Sequence, residues 1–288
     1  MRDKTSDIEQ HSVKTFEELT RPEVEDSLRV NSPVMIPIGA TEQHGEHLPL
    51  GTDNMVGIEI VKRVVTILSK ENIPLLMGPV ISFGLRPFRI ETPRDYPGTV
   101  SLSLGTLKAL LEEVCSELIR MGFRTIYLLE GHAENNVIAQ LAAKELTESS
   151  PANVIALNWL IGIRSRYKGI LKSTKEEGHG GEGETARMLA TAPHLVHMDR
   201  ANAYYPTPAG GLKIEEDRLP YLGGGIGRYR PHEGMFSGKH RGIIGNPALA
   251  NAETGEKIYD LITDWIVRIV KNDWNKSLRT KSSKRTKK

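Results

Sequence analysis

The sequence predicts an α/β protein, a single domain of three layers in which a mostly parallel sheet lies between two layers of helices. Three observations carry this. Strand-length apolar runs alternate with helical patterns of roughly 10–15 residues, as in strand–helix–strand crossovers. No shift of composition along the 288 residues marks a second domain. Two short segments dense in acids and histidines directly follow two of the strand runs, at the edge where such a sheet opens its crevice.

In order, residues 1–29 read as a polar N-terminal arm and residues 30–272 as the folded domain. Val34–Ile38 is the first strand, with Pro37 removing a ladder donor. Met55–Leu68 follows as a helix, because Val56, Ile60, Val64 and Ile67 recur three to four residues apart. Pro74–Ile81 reads as a strand, and an irregular stretch containing Arg86, Arg89 and Arg94 comes next. Leu107–Met121 is an amphipathic helix that stops at Gly122, a residue suited to a left-handed cap. Thr125–Leu129 is a strand, Val137–Leu146 a helix, Val154–Leu157 a strand, Glu184–Leu189 part of a helix, and Ala250–Val270 the last long helix. The stretch 204–241 is rich in Gly and Pro and lacks apolar periodicity. It is too long for a connector, so it is read as a lid or an intersubunit arm.

Composition excludes several classes. No apolar run reaches the length of a transmembrane helix, and the polar start Met1–Thr5 lacks the hydrophobic stretch of a signal peptide. Cys115 is the single cysteine, so no intrachain disulfide forms, and a reducing cytoplasm is the expected location. The formal net charge of +2 hides an acidic body: residues 276–288 hold seven basic residues and no acid, which leaves 31 basic against 36 acidic residues elsewhere. Residues 273–288 are expected to be a solvated, disordered basic tail, with no role in nucleic-acid binding.

The chemistry lies in Glu42-Gln43-His44-Gly45-Glu46-His47 with Asp53, and in Glu130-Gly131-His132-Ala133-Glu134. Mixed imidazole and carboxylate donors suit Zn²⁺, Mn²⁺ or Fe²⁺. Glu42, His44, Asp53, His132 and Glu134 together exceed what one catalytic zinc takes from a protein, so the pattern points to a two-metal hydrolase. The helical zincin motif does not apply, because His44 and His47 are three apart and Gly45 and Pro49 break a helix.

These residues also carry a resemblance. Glu42 to Asp53 resembles the Glu-x-His-Gly-x-His-Leu-Pro…Asp signature of the creatininase (creatinine amidohydrolase) family, and Gly131 to Asn135 its Gly-His-x-Glu-Asn segment. Further similarities are Pro97-Gly98-Thr99-Val100-Ser101-Leu102, His179 with Glu184-Thr185, and Gly245-Asn246-Pro247 followed by Ala250, Glu253 and Gly255. The resemblance implies one ion held by Glu42 and His132, a second held by His44 and Glu134, and Asp53 bridging the two. It implies that His179 shuttles a proton from a loop made mobile by glycines, and that Glu184 orients either His179 or the metal-bound water. His47 is read as outer support rather than a ligand. The family also implies a homo-oligomer, a hexamer, acting on a small-molecule substrate.

The implied activity is hydrolysis of a cyclic amide or related C–N bond by a metal-activated water. Relatives within the same family open a cyclic diketo-inositol by C–C hydrolysis, deformylate a nucleotide precursor, or trim a peptide. The chain departs from creatininase itself before His179, where a tryptophan covers the substrate in that enzyme: Lys172-Ser173-Thr174-Lys175-Glu176-Glu177 contains no aromatic residue. With Arg86, Arg89 and Arg94, this polar loop makes the inosose-like C–C hydrolase the second expectation.

Overall fold

The structure is a computed structural model that describes residues 13–85, 97–175, 177–205 and 242–285. Four strands, β1 (Val34–Ile38), β2 (Leu76–Met77), β3 (Thr125–Glu130) and β4 (Asn153–Asn158), form one sheet in the order β2-β1-β3-β4. All neighbours are parallel, with β1 matched to β3 from Val34–Ile126 to Ile38–Glu130. The largely apolar character of the strand interiors follows from burial on both faces. Val34, Ile36, Ile38, Ile126 and Leu128 enter one core, while Met35, Tyr127 and Leu129 enter the other.

Among the described residues, seven α-helices cover these faces: α1 (Arg21–Arg29), α2 (Thr52–Ser69), α3 (Leu104–Met121), α4 (Asn136–Ser149), α5 (Trp159–Tyr167), α6 (Glu182–Thr191) and α7 (Ala252–Arg285). Helices α3 and α4 pack on the first core with part of α1, and α2, α5, α6 and α7 on the second. The expected three-layer α/β/α arrangement is therefore present. Helix α3 ends as the sequence indicates: Gly122 takes φ 122°, and its N–H reaches the Leu118 and Ile119 carbonyls at 3.2 and 3.1 Å.

Four expectations need correction. The arm 1–29 is not simply polar chain, because Phe16, Val24 and Leu28 pack against the first core and α1 starts at a capping arrangement in which Thr20 N–H donates to Glu23 Oε2 at 2.7 Å. The strand expected over Pro74–Ile81 is reduced to β2 and one bridge between Ile38 and Ile81. Pro37 faces this edge through its carbonyl, which accepts from Ile81 N–H at 2.9 Å, and neither Pro37 nor Pro79 has an N–H to continue the ladder. Helix α5 went unrecognised because it follows β4 without a connector; Asn158 ends the strand and caps the helix, its Oδ1 accepting from Ile161 N–H at 3.0 Å. Finally, the segment 273–285 is not disordered tail. The apolar stripe Ile262, Ile266 and Val270 continues to Trp274, which packs on the second core, and no Gly or Pro follows Gly255 before Arg285.

The buried Tyr127 hydroxyl anchors this extension by donating to Asp273 Oδ2 at 3.0 Å. A chain ended after Asn272 should therefore lose about 2 kcal/mol or more, the scale of a hydrogen bond to a charged group plus lost packing. A chain ended after Ser277 keeps both anchors and should match the full protein. Urea midpoints of the two truncations measure the difference, and equal midpoints would show that the extension contributes nothing.

Candidate metal centre

The sheet order places the crossovers from β1 and from β3 on opposite sides, so a crevice opens where β1 and β3 end. The strand exits are fastened there by backbone and side chain. Gly131 N–H donates to the Ile38 carbonyl at 2.7 Å. The fully buried Asn135 donates from Nδ2 to the Gly39 carbonyl and accepts from Leu85 N–H at Oδ1, both at 3.0 Å, joining the exits of β1, β2 and β3. The Pro97–Leu102 stretch docks on the same loop, with Gln43 N–H donating to Thr99 Oγ1 at 3.1 Å.

Glu42, His44, Asp53 and His132 form the floor of the crevice and are almost wholly buried. Asp53, in the first turn of α2, lies between the two imidazoles: Oδ1 is 3.2 Å from His44 Nε2 and Oδ2 is 3.3 Å from His132 Nδ1. Glu42 Oε1 lies 3.0 Å from His132 Nδ1. The outward nitrogens meet backbone carbonyls, His44 Nδ1 at Glu42 O (3.1 Å) and His132 Nε2 at Leu85 O (3.2 Å). Each neutral ring thus carries its proton on the outer nitrogen and turns a lone pair inward.

Three further side chains, about one-fifth exposed, stand around this floor. Glu184 Oε2 is 3.5 Å from His44 Nε2 and accepts from Gly180 N–H at 2.6 Å. His179 stacks on His44 with ring centres 4.3 Å apart, and its Nδ1 is 3.7 Å from Glu42 Oε1. Glu134 Oε2 lies 3.3 Å from His132 Nε2, on the outer side of that ring. Glu134 follows His132 in the 3-10 turn Ala133–Asn135, while α6 brings Glu184 close to His44. Three donor groups result, Glu42-Asp53-His132, His44-Asp53-Glu184 and Glu42-His44-His179.

The residues fit divalent ions. Glu42 Oε2, His44 Nε2 and Asp53 Oδ2 are buried without a hydrogen-bond partner, yet they converge on the same small volume. With neutral imidazoles, the carboxylates of Glu42, Asp53 and Glu184 crowd negative charge into a site nearly closed to water, which divalent cations offset. In the metal-free protein, protons take that place. Burial opposes a charged His44, but Asp53, Glu184 and Glu42 outweigh it and push its pKa up to about 10. His132 is raised well above its ordinary value against the same burial, by Glu42, Glu134 and Asp53. Burial pulls Asp53 up, but the two imidazoles hold it below the usual carboxylate range.

The loop of His179 is more constrained than its glycines suggest. Its backbone pairs with Ile244 on both sides, Gly178 N–H to Ile244 O at 3.1 Å and Ile244 N–H to His179 O at 2.7 Å. The buried Glu182 accepts the Lys172 and Ser173 N–H groups at 2.8 and 2.7 Å. Gly180 is at φ 60°, where an L side chain is strained. His179 Nε2 lies 2.6 Å from the Gln43 carbonyl, so that nitrogen carries a proton, while the Gln43 amide is 3.0 Å away. His47 is outside all three donor groups; its Nε2 meets Thr185 Oγ1 at 2.8 Å, tying the ligand loop to α6. Sequence reading missed Gln43, Glu182 and Asn135. Glu182 had a signal, an acid two residues before Glu184 at a helix start, whereas a carbonyl contact such as that of Gln43 leaves none.

Of the 204–241 stretch, residues 206–241 lie outside the described residues, as do Arg86, Arg89 and Arg94. Its flanks meet: Tyr204 and Gly245 exchange backbone hydrogen bonds of 2.9 and 2.6 Å beside the His179 loop.

This fold and donor set define a metal-dependent hydrolase architecture. The family described as "Creatininase: Creatinine amidohydrolase" matches residues 17–270, and the chain belongs to that family. It is 31% identical over 207 residues to a creatinine amidohydrolase of Pseudomonas putida, covering 66% of this chain and 77% of that protein. It is 26% identical over 277 residues to a 3-dehydro-scyllo-inosose hydrolase of Thermotoga maritima, covering 89% and 82%. A solved manganese form of creatininase superposes with a TM-score of 0.71 at 25% identity, over 91% of this chain and 99% of that one.

The pKa shifts have a measurable consequence. A histidine whose pKa is raised on folding stabilises the fold below its unfolded pKa and loses that contribution as pH rises through its folded value. The metal-free protein should therefore lose stability between pH 6.5 and about 10, the ordinary and shifted values of His44. The buried Glu130 and Glu177, both pushed up to about 8 chiefly by burial, act in the same direction up to that pH. Metal affinity should rise over the same range, because ligation displaces those protons. Chemical denaturation of chelator-treated protein at stepped pH checks this; a flat profile from pH 6.5 to 9 would contradict it.

Proposed function

We propose that the protein is a dinuclear metal-dependent hydrolase that opens a cyclic amide, or a related C–N bond, of a small molecule. The observation that carries this reading is Asp53, whose two oxygens face two different imidazoles. Glu42 and His132 would hold one ion, His44 and Glu184 the other, and Asp53 both. Zn²⁺ or Mn²⁺ bound there would supply a hydroxide at neutral pH and polarise the carbonyl to be attacked.

The chain's own groups supply the rest. The Gln43 carbonyl holds the His179 Nε2 proton, so proton delivery to the leaving nitrogen falls to Nδ1, the nitrogen on the Glu42 side. Stacking on His44 keeps that ring over the floor. Glu134 backs His132 and stands at the mouth, where it can orient an incoming substrate or water. Glu184 acts as a ligand carboxylate rather than an acid, with both oxygens facing N–H or guanidinium donors.

A second reading, C–C hydrolysis of an inosose-like cyclic polyol, draws on the broad match to the Thermotoga enzyme and on the aromatic-free Lys172–Glu177 loop. A formamide deformylase would use the same floor. We also place the protein in the cytoplasm as a homo-oligomer. One turn before the Lys108–Glu145 ion pair that joins α3 and α4, Leu104 and Leu141 stand exposed, with Val137 beside them on α4.

Product mass after incubation with creatinine, hydantoins, lactams, formamides and inosose derivatives tests the assignment, and no turnover of any C–N substrate would sink the first reading. Elemental analysis should give two ions per chain, and Asp53→Asn should lose both; saturation at one ion would remove the bridging role. His179→Ala should keep its metal while kcat falls roughly 10²–10⁴-fold, the range for general acid–base groups. Loss of an ion in that variant would make His179 a ligand. Light scattering at micromolar concentration should give a multiple of the 32.0 kDa chain, and a monomer mass would refute the oligomer.

A further inference from the structure

Arg187 is a buried cation that the chemistry above does not use. Its side chain is only 4% exposed, and it lies on α6 one turn after Glu184. The guanidinium lies over the Trp159 ring, 4.7 Å from its centre, and Nη1 is 3.4 Å from the Tyr167 hydroxyl. Nε is buried without a hydrogen-bond partner. Among the described residues, Glu184 is the carboxylate within ion-pair reach, with Oε1 3.9 Å from Nη2.

This is a poor arrangement for stability alone. A buried guanidinium is costly unless met by a close, hydrogen-bonded carboxylate, and Arg187 has none. Its position instead divides the work of Glu184: Oε1 faces Arg187, while Oε2 accepts the Gly180 N–H and faces His44. Packing fixes the arginine itself. The Tyr167 hydroxyl presses on α6 so closely that a Cβ at Gly183 would stand 1.7 Å from it. Aromatic side chains of α5 thus hold the cation that in turn holds the carboxylate.

We propose that Arg187 is a positioning residue that keeps Glu184 aimed at the ion bound by His44. The inference rests on the reading of Glu184 as a ligand. A residue behind a metal ligand that acts this way is worth on the order of 10–100-fold in metal affinity. The effect should fall on one ion only, because Arg187 contacts none of the residues that would hold the other.

Zn²⁺ titration of the full-length metal-free protein against a chromophoric chelator reads both affinities. Glu184→Gln should weaken one zinc step, and Arg187→Met should weaken the same step by roughly 10–100-fold while sparing the other. Adding Arg187→Met to Glu184→Gln should produce no further loss, since the arginine acts through the carboxylate. Arg187→Lys should recover most of the affinity, which separates charge from volume. Equal weakening of both zinc steps, full additivity in the double variant, or a lysine no better than methionine would each overturn the proposal. If Glu184→Gln leaves both zinc steps intact, the ligand reading of Glu184 fails, and the proposal with it. If Arg187→Met does not melt cooperatively, Arg187→Gln takes its place with the same expectations.

Discussion

Burial of two carboxylates and two imidazoles in one small volume, with a third carboxylate at its edge, is the constraint around which the rest of the structure is arranged. Charges so far from water are tolerated only when opposite charge or a tight donor set accompanies them. Without metal, protons on His44 and His132 serve that need, which is why both are raised against the pull of burial. The same atoms could serve as ligands to a metal ion. Without metal, that positive charge lasts only until pH rises through the raised value of His44, about 10.

A parallel sheet meets this constraint cheaply. It gathers the ends of β1 and β3 at one point and leaves the backbone carbonyls of the exiting loops free to accept hydrogen bonds. Two of those carbonyls, Glu42 and Leu85, take the outward protons of His44 and His132, and a third, Gln43, takes that of His179. Ring orientation is thus set by the main chain, which moves little, rather than by side chains that rotate. Asn135 adds stiffness by joining three strand exits with one amide. The partly exposed residues Glu134, His179 and Glu184 stand above this floor.

The parts of this protein legible in sequence are those written in periodicity or in rare residue types. Strands β1, β3 and β4 and helices α2, α3 and α4 carry apolar patterns, and Glu42, His44, Asp53 and His132 stand out as dense donors directly after strands. Three features were illegible. Helix α5 shares Asn158 with the strand before it, so no boundary is marked. The nearness of Glu184 to His44 depends on where α6 packs, a matter of tertiary placement that spacing does not encode. The extension of α7 was hidden by its charge: lysines and arginines read as a solvated tail, yet they are good helix formers once Trp274 and Asp273 are anchored.

The floor also explains why family membership leaves the substrate open. A creatinine amidohydrolase and an inosose hydrolase match this chain at 31% and 26% identity, and metal-activated water can attack the carbonyl of either substrate class. Discrimination must then come from groups that touch the rest of the substrate. Glu182 draws in the backbone of Lys172 and Ser173, so the loop before His179 is held beside the site by a buried carboxylate. That loop has donors and charge but no aromatic face to lie against a flat ring.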